Sequence, residues 1–142
     1  SLPNYNRYSR SPFLNYEKEK RTSEKIVQEL NIKTPNLNTV VATLSGGNQQ
    51  KIVIGKWLAA SPKVFILDEP TRGIDVGAKY EIYKQICEFA KRGMAIIMIS
   101  PDLPEILGMS DRIYTMREGK ITGELMAEEA NQVKIMYYAT VD

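Results

Sequence analysis

The chain has 142 residues, 43% hydrophobic and 25% charged, an ordinary balance for one domain that buries a real core. Nineteen basic against 17 acidic residues leave a net charge of +2 with no long single-sign block, so composition offers no electrostatic footprint for nucleic acid. A single cysteine excludes an internal disulfide framework, and the absence of histidine removes the usual zinc ligand and general base, so any catalysis must rest on carboxylates, hydroxyls, Lys or Arg.

Residues 1 to 22 are rich in Tyr and Arg, and Pro3 and Pro12 discourage regular structure, so an irregular lead-in is expected there. Ser1-Leu2-Pro3 does not read as a signal peptide, and a first residue other than Met leads to the expectation that the chain begins inside a longer one. Thr22 and Ser23 offer cap chemistry for a short helix through Leu30, with Ile26, Val27 and Leu30 on one face. A loop carrying Pro35 follows. Gly46-Gly47 then precedes a helix predicted from Asn48 to Ala60, with Ile52, Ile54, Trp57 and Leu58 as its apolar positions and Ser61-Pro62 as its stop.

Val64 to Leu67 is an uninterrupted apolar run ending in Asp68-Glu69-Pro70, the pattern of a parallel strand buried on both faces. Val76 to Arg92 reads as an amphipathic helix closed by Gly93, with Cys87 and its neighbours in the core. Ala95 to Ile99 is a second buried strand with Met94 and Met98 as packing residues. Pro101 to Met109 predicts a turn and short helix, and Arg112 to Met116 and Lys120 to Leu125 a strand pair joined at Glu118-Gly119. Ala127 to Tyr138 reads as a closing helix with Met136 on its apolar face. Strands alternating with helices give an α/β fold with a mostly parallel sheet and flanking helices.

Two stretches carry chemistry. In Leu44-Ser45-Gly46-Gly47-Asn48-Gln49-Gln50-Lys51 the glycines allow close backbone approach, and the amides at a helix N-terminus favour an anion such as a terminal phosphate. Ser45 adds a hydroxyl, although a Ser-Gly-Gly loop that only caps a helix explains the tetrapeptide equally well. The second is Leu67-Asp68-Glu69-Pro70-Thr71. A carboxylate where a parallel strand ends lies in the crevice where such sheets bind ligands, so Asp68 suits a nucleotide-bound magnesium ion and Glu69 suits an attacking water. A strand leaving the core through a polar turn is the commoner meaning of a lone Asp-Glu-Pro. Both motifs, in order and one helix apart, make coincidence a poor explanation.

Together with Gly73-Ile74-Asp75, these stretches resemble the signature, Walker B and D-loop of an ATP-binding cassette (ABC) ATPase. Leu44 to Lys51, Pro70 to Lys79 and Leu103 to Arg112 are similar, more narrowly, to the second cassette of fused two-cassette ATPases that energise ribose, galactose or xylose import. The likeness runs from about Glu24 to the end. It implies a partial P-loop NTPase fold over residues 23–142, with a signature helix region at about 23–61 and a Walker B portion at about 62–142. It implies that Ser45, Gly46, Gly47, Asn48 and Gln49 contact the ATP of an opposing cassette, and that Ser45, Gly46 and Gly47 are exposed at a helix N-terminus. Asp68, through magnesium, and Glu69, as the catalytic residue, would serve the chain's own nucleotide, and Asp75 would reach across the cassette interface. The implied partners are the opposing cassette, a membrane permease and, indirectly, a periplasmic sugar-binding protein. The resemblance also implies a peripheral place on the cytoplasmic face of the bacterial inner membrane, and no run approaches the ~20 apolar residues that cross a bilayer.

Two departures limit the likeness. Pro101 stands where the family has a switch His, and Pro supplies no side-chain hydrogen bond. No Gly-x-x-x-x-Gly-Lys-Ser/Thr occurs, because Gly55-Lys56 and Gly119-Lys120 are each followed by Ile. The Walker A phosphate loop and its strand are thus absent from this sequence, no hydrolysis is expected of the chain alone, and its sheet should show an open gap, closed by rearrangement or by a homo-oligomer. A cassette ATPase acting on nucleic acid or ribosomes, and a non-catalytic interaction module, are the alternative readings.

Overall fold

The computed structural model describes residues 9–10 and 13–140. These residues cluster into two compact units, the first comprising residues 9–10, 13–65 and 71–96, the second residues 66–70 and 97–140.

In the first unit, β1 (Ser9–Arg10) pairs antiparallel with β2 (Phe13–Leu14), and α1 runs over Tyr16–Glu29. The irregular lead-in expected through residue 22 is overturned where it can be read, and its remainder, residues 1–8 and 11–12, lies outside the described residues. The helix starts six residues before Thr22 because Asn15 caps it, its side chain accepting from the Lys18 amide at 2.9 Å, and Glu17 and Glu19 complement the N-terminal dipole. Thr22 is a mid-helix residue whose hydroxyl donates to the Lys18 carbonyl.

A short 3₁₀ turn (Val41–Thr43) leads into α2 (Gly46–Leu58), and α3 spans Val76–Lys91. The core of this unit comprises Leu30, Ile32, Ile54, Phe65, Ile82, Ile86 and Phe89. An added Cβ at Gly55 would stand 2.5 Å from Ile26 Cγ2 and 2.9 Å from Leu30 Cδ1, so α1 and α2 touch where α2 has no side chain. Trp57 is exposed, not core, and so is Cys87. Ile82, Ile86 and Phe89 define the buried stripe of α3 at helical spacing, and position 87 stands about 100° round from Ile86.

β3 (Val64–Asp68) pairs with β4 (Ala95–Ile99). The Ala95 amide donates to the Lys63 carbonyl at one end and the Glu69 amide to the Ile99 carbonyl at the other, so numbering rises together along both strands and the pair is parallel. The strand expected to be buried on both faces is covered on one: Leu67 is 6% exposed and Ile66 61%. A single strand-helix-strand unit lays its helix on one face, and Phe65 meets Phe89 of α3 with ring centroids 6.3 Å apart. Ile97 and Ile99 of β4 are exposed as well, with Met94 and Met98 half-buried.

In the second unit, α4 (Leu103–Met109) precedes the antiparallel hairpin of β5 (Arg112–Arg117) and β6 (Lys120–Met126). Glu118 and Gly119 both have positive φ, 49° and 77°, the requirement of the tight turn whose twist matches a hairpin. Ile113, Leu125 and Ile135 form its core with Leu103, Ile106, Leu107, Ala130 and Tyr138 packed on them. The single closing helix expected over 127–138 divides into a 3₁₀ turn (Ala127–Glu129) and α5 (Gln132–Thr140), because Asn131 intervenes and its side chain accepts from the Lys134 amide at 2.9 Å. Met136 is exposed on α5.

The described strands thus form three two-stranded sheets in an α/β arrangement, with the parallel pairing in β3–β4. Within the hairpin unit, an added Cβ at Gly123 would meet Tyr138 Cγ at 2.5 Å and Thr115 Oγ1 at 2.9 Å. Gly123→Val should therefore destabilise the chain by about 1–3 kcal/mol through overpacking. Urea unfolding measures it, and an unchanged midpoint would show that α5 does not lean on this strand.

Candidate functional site

The Ser45-Gly46-Gly47 turn is built by the side chains around it. Ser45 is extended (φ −61°, ψ 152°) and stands at the N-cap of α2, yet its hydroxyl makes no capping bond. Instead Ser45 Oγ accepts from Asn48 Nδ2 at 2.8 Å, while Asn48 Oδ1 accepts from the Lys33 amide at 2.8 Å. Gln49 Nε2 donates to the Leu44 carbonyl at 2.7 Å, and the Gln49 amide donates to the Ser45 carbonyl at 2.9 Å. Asn48 and Gln49 therefore shape the turn with their amide groups. Ser45 keeps its own O–H to donate, and helix geometry leaves the amides of Gly46, Gly47 and Asn48 without intrahelical partners.

Ser45 and Gly46 are exposed, and Gly47 is buried, which corrects the expectation that all three face solvent. The reason is α3, which passes so close that a Cβ at Gly47 would stand 2.5 Å from the Cβ of Ala78. A Cβ at Gly46 would lie 3.5 Å from Ile74 Cγ2 and 3.8 Å from the Gly73 carbonyl, so the Gly73–Asp75 loop flanks the same turn. Asp75 is exposed and caps α3, accepting from the Ala78 amide at 2.9 Å. Two helix N-termini, α2 behind Ser45 and α3 behind Asp75, thus stand side by side.

One ion pair beneath them had no assigned role in the sequence reading. Lys51, 3% exposed, donates to Glu81 Oε2 at 2.5 Å and to the Asn31 carbonyl at 3.1 Å. Its signal was present: Gly47, Lys51 and Gly55 recur every four residues, so a charge stood on the buried face of α2. The Lys51 ammonium, by hydrogen bond and by charge, holds the Glu81 carboxyl below its ordinary value of 4.5; Lys33 adds to this, while partial desolvation and Asp75 oppose it.

Asp68 and Glu69 belong to the second unit, at the C-terminal end of β3. Asp68 is exposed, and Glu69 is half-buried with φ 44°, a left-handed conformation that a non-glycine residue adopts at a cost and that recurs at functional sites. Its amide is held by the Ile99 carbonyl at 2.8 Å. Among the described residues no group of three or more His, Cys, Asp or Glu side chains forms a metal cage. One exposed carboxylate fits an ion that arrives on a nucleotide, because magnesium keeps most of its waters and takes one or two carboxylates plus phosphate oxygens. Beyond β4, the Ser100 hydroxyl accepts from the Asp102 amide at 3.0 Å, and Pro101 between them is exposed.

The chain is similar to known proteins over most of its length. The family pattern described as ABC transporter matches residues 3–72. The chain is 59% identical over 140 residues to the xylose import ATP-binding protein of Thermoanaerobacter pseudethanolicus, covering 99% of this chain and 28% of that protein. It is 58% identical over 139 residues to the ribose import ATP-binding protein of Oceanobacillus iheyensis, covering 98% of this chain and again 28% of the relative. The chain therefore spans a little over a quarter of the length of these relatives. Among solved structures, an ATP-binding cassette of an ABC transporter superposes with a TM-score of 0.74 at 25% identity, over 96% of this chain and 55% of that one. A dimeric ATP-binding cassette bound to ADP and phosphate shares the fold, with a TM-score of 0.71 at 19% identity over 83% of this chain and 51% of that one.

The depressed Glu81 carboxyl has a consequence for stability against pH. A carboxyl whose folded pKa lies below its unfolded value contributes stability that is complete above the unfolded value and is lost as pH falls through the folded one. The difference in unfolding free energy between the native chain and Glu81→Gln should thus be constant above about pH 4.5 and shrink below it. Denaturant titrations at several pH values test this, and a difference independent of pH down to acid would refute the ion pair.

Proposed function

We propose that the chain is a member of the ABC transporter ATPase family and serves as the signature-bearing and Walker B portion of a cassette that drives monosaccharide import. The observation that carries the proposal is the exposed Ser45-Gly46 turn at the N-terminus of the 13-residue helix α2, shaped by Asn48 and Gln49 and flanked by the Asp75 loop. The Ser45 hydroxyl and the amides of Gly46 and Gly47 donate to the terminal phosphate of ATP held by an opposing cassette, aided by the helix dipole. Asn48 and Gln49 support that contact by fixing the turn. Asp75 reaches the same partner from the neighbouring helix N-terminus.

Asp68 and Glu69 serve a different nucleotide, that of the chain's own cassette. Bound magnesium would neutralise phosphate charge there; Asp68 would hold it through water, and Glu69 would orient or deprotonate the attacking water. Pro101 stands where a switch His is expected and offers no side-chain hydrogen bond, which weakens that site. No phosphate loop is present to hold the β- and γ-phosphates: Gly55-Lys56 lies inside α2, and Gly119-Lys120 lies at the β5–β6 turn. The likeness to xylose and ribose import proteins supports monosaccharide uptake as the work done, with a permease and, through it, a periplasmic sugar-binding protein as partners. No helix among the described residues is long and apolar enough to cross a membrane, in keeping with a peripheral place on the inner face of the bacterial inner membrane.

In a two-cassette importer carrying this segment, Ser45→Arg should abolish ATP-driven sugar uptake by blocking phosphate approach, whereas Glu69→Gln should cost less because its site already lacks the switch His. Uptake of labelled sugar into cells decides it; normal uptake by Ser45→Arg would refute the contact across the interface. The chain alone should show no ATP hydrolysis and at best weak binding in a calorimetric titration with millimolar magnesium-ATP. Micromolar affinity with turnover would overturn the reading of the missing loop.

A further inference from the structure

Lys51 belongs to the same eight-residue motif as the phosphate-facing turn, yet no role in the proposed chemistry uses it. Burying an ammonium is costly unless it is paired and hydrogen-bonded, and Lys51 meets that condition through Glu81 of α3 and the Asn31 carbonyl just past α1. The two contacts between α2 and α3 advance in step: Gly47 lies on Ala78, and four residues on, Lys51 reaches Glu81, three residues on. The helices therefore run side by side in the same direction with their N-termini level. One turn further along α3, Gln85 Nε2 donates to the Leu30 carbonyl at 2.7 Å, fixing the end of α1 to the same helix.

We propose that Lys51 is a positioning residue: by locking the register of α2 on α3 it makes the Ser45-Gly46 turn and the Gly73–Asp75 loop a single surface, so that contact at one is transmitted to the other. The packing at Gly47 alone does not set register, because a glycine against a methyl group allows the helices to slide and rotate. The ion pair, with Lys51 buried and the Glu81 side chain 45% exposed, supplies the direction that the apolar contact lacks. This inference rests on the proposed reading only in taking both loops to face an opposing cassette.

The test uses the chain itself and amide NMR, with no nucleotide or partner, so its failure and the failure of the ATPase reading are separate results. Asp75→Ala, which removes the side-chain cap of α3, should shift the amides of Gly46 and Gly47 in the native chain and leave them unmoved in Lys51→Met. Lys51→Met should also speed hydrogen exchange at Gln49 and Ala78, the amides bonded to Ser45 and Asp75, by about tenfold or more. Exchange in the β5–β6 hairpin should stay unchanged. Lys51→Arg should restore the transmitted shift. Should Lys51→Met fail to fold, Glu81→Gln, which leaves the lysine in place, is read in the same way. The proposal is overturned if Asp75→Ala moves Gly46 and Gly47 equally in both backgrounds, or if exchange rises to the same extent in the hairpin, which would make Lys51 a general stabiliser.

Discussion

The close passage of α2 over α3 is the constraint from which the arrangement of the first unit follows. With no side chain at Gly47, the helix backbones come near enough that a Cβ there would overlap that of Ala78. At that separation Lys51 reaches Glu81, and Gly46 lies against Ile74. A larger residue at 47 would push the helices apart, stretch the ion pair and draw the two caps away from each other. Glycine is thus required at this position by packing, whereas at Gly46 the added Cβ meets only ordinary van der Waals neighbours and the requirement there is access to the backbone.

How much of this was legible in sequence depends on how local its cause is. The β5–β6 hairpin was legible because Glu118-Gly119 supplies the two left-handed residues itself. The stop of α2 and the start of β3 were legible for the same reason. The start of α1 was not: Asn15 caps a run of charged residues, no residue of the helix is buried, and there is no apolar period to read before Ile26. The one-sided burial of β3 was misjudged because an unbroken apolar run looks the same whether one face or both are covered. Only the identity of what packs on each face separates the two.

The candidate site divides along the same line. Ser45, Gly46, Asp68, Glu69 and Asp75 are marked by motifs whose spacing is contained in a few residues. The Lys51–Glu81 pair joins positions 30 apart, and its existence depends on the helix register that Gly47 and Ala78 permit. The apolar positions read for α2, Ile52, Ile54, Trp57 and Leu58, did not single out Lys51 or name its partner. That partner lies on an element whose position is fixed only by tertiary packing.

The turn also shows why Asn serves at position 48. Its amide spans two groups at once, Ser45 Oγ on one side and the Lys33 amide on the other, both at 2.8 Å. A Gln there would carry the amide outward by about 1.5 Å, one carbon–carbon bond, and lose at least one of the two contacts unless the loop at Lys33 moved. The effect on Ser45 is directional. Because its oxygen already accepts from Asn48, its O–H is left to donate elsewhere, beside the amides of the first turn of α2 that have no intrahelical partners. The donors are therefore oriented before any anion arrives, and such preorganisation spares the reorganisation that flexible groups would incur on binding. On the proposed reading the polar side chains of the motif do not compete for the phosphate; they hold one hydroxyl and the backbone in the position to meet it.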